Sequence, residues 1–263
     1  MRKLVAQMGV TQSLPYLAQL YEPMRRLTEW WYTMRDFDGD GVCQYHHGND
    51  SGWDNATAFD LGYPTEGADL SAHLVLQCEG LAFMADLLGR PLDAARWAER
   101  GREQLAALLR HSVRDNRFVS PRDGGHAVAE SDSLLNLIPM ELGHRLPPAV
   151  RAALIADLQP GGPFLTAHGL ATESPVSPKY EPNGYWRGQI WAPSTYQIFD
   201  GLVDAGEIEL ARIIAARFCD MCVAAPGFWE NYDAVTGQGL CCPGYSWTAA
   251  VFLLLAEWLE RMS

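Results

Sequence analysis

A chain of 263 residues with 48% hydrophobic and 11% aromatic content can bury a large core, which excludes a disordered protein and fits one globular domain. A net charge of −12 works against the basic patch that nucleic acid or an anionic membrane needs, so neither is an expected partner and a neutral or polar ligand is. Met1-Arg2-Lys3 leads only into Leu4-Val5-Ala6-Gln7-Met8, too short and polar for a secretory signal, and no run could span a bilayer, so the expected location is cytoplasmic.

Apolar residues recur at helical spacing through most of the chain and convincing alternating strands are missing, so the expected fold is all-α. The first strong helix is predicted over 14–34, with Pro23 expected to kink or divide it. Further helices are predicted over 69–88, 92–114, 130–143, 147–158, 190–205, 207–224 and 246–261. Gly89-Arg90-Pro91 closes one helix and opens the next, and Pro147-Pro148 starts another. Short connections suit antiparallel hairpins, whereas those at 35–68, 115–129, 159–189 and 225–245 exceed ordinary loop lengths. If all four fall at one end of the helical array, they line one shared pocket.

The first long loop carries Gly48-Asn49-Asp50-Ser51-Gly52-Trp53-Asp54-Asn55. Trp53 offers a flat apolar face for a sugar ring and partly desolvates Asp54, the environment a carboxylic proton donor needs. The last long loop carries Phe228-Trp229-Glu230-Asn231-Tyr232-Asp233, again an acid among aromatic and polar neighbours. Two carboxyl groups are the minimum for glycoside hydrolysis, one to protonate the leaving oxygen and one to activate water or attack the sugar. Between them runs Tyr180-Glu-Pro-Asn-Gly-Tyr-Trp-Arg-Gly-Gln-Ile-Trp191, in which Arg187 can donate to sugar hydroxyls or fix a carboxylate. Trp186 and Trp191 have a second reading as core anchors.

Asp38-Gly39-Asp40-Gly41, Asp50 to Asn55, Tyr185-Trp186-Arg187-Gly188-Gln189-Ile190-Trp191, Glu230-Asn231-Tyr232-Asp233 with Thr236-Gly237, and Tyr245-Ser246-Trp247-Thr248-Ala249-Ala250 together resemble glycoside hydrolase family 63 and its trehalase relatives. The resemblance implies an (α/α)6 toroid and an inverting α-glycosidase, with Asp54 as general acid and Glu230 as general base. Trp53, Asn55, Tyr185, Trp186, Arg187, Gln189, Tyr232 and Trp247 are the candidate sugar contacts, and no cofactor is called for. The family barrel has twelve helices against the eight read here, so residues 1–263 are expected to form a single catalytic-type domain, an incomplete toroid corresponding to the carboxy-terminal two thirds of the barrel. An incomplete ring exposes apolar helix faces, so the chain is expected to be a fragment, to use a shortened start, or to close its open side against a second copy.

Asp36-Phe37-Asp38-Gly39-Asp40-Gly41 also matches the opening of a calcium loop, but His47 stands at the twelfth position where a bidentate Glu belongs, so a plain turn is expected. No metal is expected at the cysteines either. Cys219 and Cys222 fall in a helical pattern, and the vicinal pair Cys241-Cys242 hinders tetrahedral closure, so all six are read as free thiols. The expected function is hydrolysis of an α-glucosidic or α-mannosidic bond in a small glycoside or oligosaccharide. The competing reading is a non-catalytic carbohydrate-binding or assembly protein derived from such an enzyme. A sugar epimerase on a similar barrel is disfavoured, since no set of helix-borne histidines is evident.

Overall fold

A computed structural model describes residues 1–262. Nine α-helices occur among the described residues. They are α1 (Arg2–Met8), α2 (Val10–Met34), the single turn α3 (Gly48–Ser51), α4 (Ala68–Leu87), α5 (Pro91–His111), α6 (Pro148–Leu158), α7 (Ala192–Asp204), α8 (Ile208–Ala224) and α9 (Ser246–Met262). Helices α4 and α5 form an antiparallel hairpin around Gly89, which takes φ 69° as the turn requires. A second hairpin joins α7 and α8, and α9 packs on both. Against the expectation of no strands, two short antiparallel ribbons are present: β1 (Val113–Arg114) with β2 (Arg117–Phe118), and β3 (Trp229–Tyr232) with β4 (Gly239–Pro243).

Two helical expectations change. Helix α2 runs unbroken through both Pro15 and Pro23. Pro23 and Gln19, whose carbonyl loses its helical partner, are both exposed, while Leu17, Tyr21 and Thr28 are buried on the opposite face. Packing therefore holds the two halves in line. Tyr21 also accepts a hydrogen bond from Trp97 Nε1 at 3.2 Å, tying α2 to α5 over a core of Leu17, Cys78, Leu81 and Met84. The segment expected as a helix over 130–143 is instead a 3-10 stretch over Leu134–Arg145. Pro139 withdraws one donor from it, and Gly143 adopts φ 54° because Asp204 occupies the space a Cβ would need.

The four long connections are laced together in sequence. Tyr45 pairs with Thr65 and Thr65 with Arg122, Ser133 pairs with Glu173, and Ile190 pairs with both Ala171 and Tyr232. Buried Glu173 accepts hydrogen bonds from Thr57 Oγ1 and Ser177 Oγ, both at 2.6 Å, which closes the circuit between the first and third connections. All four loops thus share one layer at one end of the helices.

Beneath that layer, His73 on α4 meets Glu141 of the 3-10 stretch at 2.6 Å. Burial opposes protonation of His73, but the charge and hydrogen bond of Glu141 outweigh it and raise its pKa to about 9. A raised histidine pKa contributes stability that is complete below the unfolded value and lost as pH climbs through the folded one. The urea midpoint is expected to fall as pH rises from about 6.5 to about 9, modestly because the side chain keeps 37% exposure. His73→Gln should flatten that part of the profile, and an unchanged slope in the variant would remove this pair as its source.

Candidate active site

The loop before α4 is folded from its own turn residues. His47 Nδ1 accepts from Asn49 N–H at 3.1 Å, Ser51 Oγ donates to Gly48 O at 2.7 Å and accepts from Trp53 N–H at 3.0 Å, and Gly52 ends the turn at φ 74°. Gly48 is required by close approach, since a Cβ there would stand 2.1 Å from the carbonyl oxygen of Asp54. The coil this produces holds Asp54 at its exposed end.

Asn55 carries the connection to the third loop. Its Nδ2 donates to Gly184 O at 2.9 Å and its Oδ1 accepts from Trp186 N–H at 3.1 Å, so one amide grips the backbone on both sides of Tyr185. Tyr185 takes φ 65°, an uncommon conformation for a non-glycine residue. Trp191 Nε1 donates to its carbonyl at 3.1 Å. Arg187 Nε donates to the Asn55 carbonyl at 2.9 Å while its Nη2 bonds Asp60 at 2.6 Å. Asp60 also accepts from Lys179 at 2.8 Å.

The held tyrosine reaches the third element of the site. Tyr185 Oη donates to Glu230 Oε1 at 3.2 Å. Glu230 lies on β3 where the β3–β4 register shifts between Trp229 and Asn231, an irregularity that re-aims a side chain out of the ladder. Its backbone carbonyl accepts from Trp247 Nε1 at 3.3 Å, and Thr248 Oγ1 anchors the Trp229 carbonyl at 2.7 Å, so the first turn of α9 fixes the strand. The Tyr185 hydroxyl is pushed up to about 12 by burial first, then by the Glu230 carboxylate and, further down, by Asp54. Both carboxylates therefore act on one phenol, which stays protonated and able to donate near neutral pH.

Several candidate contacts are buried in the loop layer or engaged in bonds within it. Trp53 is only 5% exposed, its ring 4.4 Å from that of Trp186, so it presents no open platform and does not desolvate the exposed Asp54 as its sequence position suggested. Trp186 stacks on Trp191 at 4.1 Å and 8°, and Trp191 meets Trp247 edge-on at 5.7 Å. The core-anchor reading holds for this row. Gln189 and Tyr232 are buried. Gln189 meets the third loop through its backbone carbonyl, which accepts from Thr172 Oγ1 at 2.9 Å, and the Tyr232 hydroxyl accepts from Trp229 N–H at 3.1 Å. Arg187 is spent on Asp60 and Asn55. Asp54, Tyr185, Glu230 and the half-buried Trp247 remain accessible in part.

Two tyrosines join the site that sequence reasoning did not single out. Tyr63 is pushed up to about 12 by burial, with Asp50 and Asp54 adding to it, and its ring stacks on His47. Tyr245 is raised by burial and then by Glu230. Tyr245 had a signal in its place directly before the Ser246-Trp247 helix start, whereas Tyr63 had none.

Acids displayed on long loops over paired helices are the arrangement that glycoside cleavage requires. The sequence pattern of the Mannosylglycerate hydrolase MGH1-like glycoside hydrolase domain matches residues 2–248, and the chain belongs to that family. Mannosylglycerate hydrolase of Thermus thermophilus is 32% identical over 165 residues, which are 62% of this chain and 38% of that protein. Glucosylglycerate hydrolase of Mycolicibacterium hassiacum is 29% identical over 214 residues, 76% of this chain and 45% of that one. The chain thus spans less than half the length of these relatives. The crystal structure of the family 63 mannosylglycerate hydrolase from Thermus thermophilus in complex with glucose superposes with a TM-score of 0.80 at 23% identity, covering 93% of this chain and 70% of that one. Neutral trehalase from Saccharomyces cerevisiae gives 0.61 at 17% identity over 75% of this chain and 39% of that one. The fold is that of the (α/α)6 toroid. Cys43, Cys78, Cys219 and Cys222 are buried free thiols, and Cys241 and Cys242 are exposed free thiols.

Gly48→Ala provides a geometric test, because the added methyl must displace the Asp54 backbone. Overpacking of this kind costs about 1–3 kcal/mol, and a shift of about 1 Å in a reacting group costs on the order of 100-fold in rate. The variant should remain folded by circular dichroism yet lose glycosidase turnover far beyond its loss of stability.

Proposed function

We propose that the chain is the catalytic portion of an inverting α-glycosidase acting on a small glucosyl or mannosyl glycoside. Asp54 protonates the departing glycosidic oxygen, and Glu230 takes a proton from the water that attacks the opposite face of the anomeric carbon. The observation that carries this reading is the Tyr185 hydroxyl, which donates to Glu230 at 3.2 Å and whose pKa is raised by burial, by Glu230 and, further down, by the charge of Asp54. The exposed setting of Asp54 leaves it open to solvent and substrate, and the hydrogen bond from Tyr185 orients Glu230. Glycerate glycosides are the first substrates to try, since the relatives are named for hydrolysing mannosylglycerate and glucosylglycerate. No helix among the described residues is long and apolar enough to cross a membrane.

An inverting pair stands roughly 6.5–9.5 Å apart, leaving room for water, and a crystal structure with a bound glycoside should find that separation. Asp54→Asn should lose roughly 10²–10⁴-fold in turnover on glycerate glycosides but much less on aryl glycosides whose leaving group needs little protonation. Glu230→Gln should impair both, because water activation is common to them. Proton NMR of the first-formed anomer reads the stereochemistry. Wild-type turnover in either variant would remove that residue from its role, and sugar binding without turnover in the unmodified chain would favour the carbohydrate-binding alternative.

We further place residues 1–263 as the carboxy-terminal two thirds of the barrel, with its open side shielded by a second copy. Helix α2 exposes Tyr16, Leu20, Leu27, Trp30 and Met34, and α9 exposes Leu253 and Leu254. Helix α2 packs on α1 and α4, and α9 on α7 and α8. Apolar exposure of this kind marks a contact surface. Multi-angle light scattering is expected to give a dimer or larger species, reduced by Leu27→Glu with Leu253→Glu, and a stable monomer at high concentration would contradict the shielding.

A further inference from the structure

The calcium-like turn after α2 is met by histidines and a buried acid that its own sequence does not contain. Asp40 Oδ2 lies 3.1 Å from His111 Nε2, at the last residue of α5. Glu66, just ahead of α4, places Oε2 3.0 Å from His111 Nε2 and 3.5 Å from His126 Nδ1. The two imidazole nitrogens face each other at 2.8 Å. One donor atom from each of Asp40, Glu66, His111 and His126 falls within 4.8 Å of all the others.

Glu66 separates this cluster from a surface patch of acids. It is fully buried, its Oε2 faces the two imidazoles at 3.0 and 3.5 Å without a well-aligned hydrogen bond, and Oε1 has no partner. A buried carboxylate paired only with imidazoles is costly when they are neutral, and a cation at the convergence of the four donors would satisfy it. Ligand bonds of about 2.1 Å place neighbouring donors about 3.0 Å apart at a right angle and about 3.4 Å apart in a tetrahedron; the edges Asp40–His111, Glu66–His111, Glu66–His126 and His111–His126 run from 2.8 to 3.5 Å, and the remaining two lie within 4.8 Å.

We propose that Asp40, Glu66, His111 and His126 form a binding site for one first-row divalent transition-metal ion such as Zn²⁺. Two imidazoles select against Ca²⁺ and Mg²⁺, which take oxygen ligands, and in favour of zinc, cobalt or manganese. Asp36, Asp38 and Asp40 also approach one another, and Asp38 and Asp123 approach Glu66, but each of those sets offers three carboxylates and no imidazole, whereas the set with the histidines brings four donors to the buried acid. His126 keeps 37% exposure and Asp40 26%, which leaves a route of entry. The ion would join four segments: the turn after α2, the approach to α4, the end of α5 and the loop that follows β2. Its role is a staple beneath the loop layer, separate from Asp54 and Glu230.

The proposal is tested by isothermal titration of the chelator-treated full chain with ZnCl₂, CoCl₂ and CaCl₂, alongside thermal unfolding and the visible spectrum of the cobalt form. One equivalent of Zn²⁺ or Co²⁺ should bind and raise the melting temperature, with cobalt giving ligand-field absorption. His126→Gln and His111→Gln should each weaken binding by at least about tenfold, with circular dichroism confirming that the variants fold, whereas His144→Gln, outside the cluster, should not. Absence of saturable binding by the unmodified chain would overturn the proposal. So would Zn²⁺ affinity unchanged in both histidine variants, or preferential Ca²⁺ binding that persists in them. Because binding, melting and spectra need no substrate, the outcome is independent of the proposed glycosidase activity.

Discussion

The geometry of the candidate site depends on one side-chain amide. Asn55 bonds the carbonyl of Gly184 and the N–H of Trp186, and in doing so fixes the left-handed residue between them. Without that grip Tyr185 would have no local reason to hold φ 65°, and its hydroxyl would not meet Glu230. Because Asn55 follows Asp54 directly, the same grip sets where the first carboxylate stands relative to the second. A neutral amide suits this position because it satisfies one donor and one acceptor at once, where an aspartate would repel the Gly184 carbonyl.

The tryptophan row is the mechanical support for that grip. Trp53, Trp186, Trp191 and Trp247 pack in sequence across three loops and the start of α9. Large rings buried in contact contribute more stabilisation per residue than the polar loops can supply by hydrogen bonding. Their indole N–H groups are also used structurally, Trp191 on the Tyr185 carbonyl and Trp247 on the Glu230 carbonyl. Aromatic residues beside the acids thus place the carboxylates from behind.

Much of this was legible in the sequence. Helical periodicity located α4, α5 and α6 to α9 within a few residues, since amphipathic spacing and Gly-Pro punctuation are local properties. The order of the motifs located the loops that carry Asp54, Tyr185 and Glu230. What the sequence could not reveal were facts of tertiary packing. A proline in α2 is tolerated only because the affected face is exposed, and a tryptophan next to an acid is equally consistent with a platform or a core anchor until its neighbours are known. Glu66 had no motif of its own, and its proximity to His111 and His126 arises from segments separated by some 45 to 60 residues of chain, which no spacing rule reaches.

The loop layer also explains how a carboxylate pair can stay organised while apolar side chains on α2 and α9 remain exposed. The bonds that fix Asp54, Tyr185 and Glu230 run among the first, third and fourth long connections and into α9, and none comes from α2. Helix α2 packs through Leu17 and Tyr21 in a second core on α4 and α5, and through Trp31 and Tyr32 against the main core beneath the tryptophan row. The exposed flank also meets the first long loop directly, Trp31 against Tyr45 and Arg35 at 3.8 Å from Asp50, a few residues ahead of Asp54. The Asp40–Glu66 junction adds a second tie, joining the turn after α2 to the approach to α4.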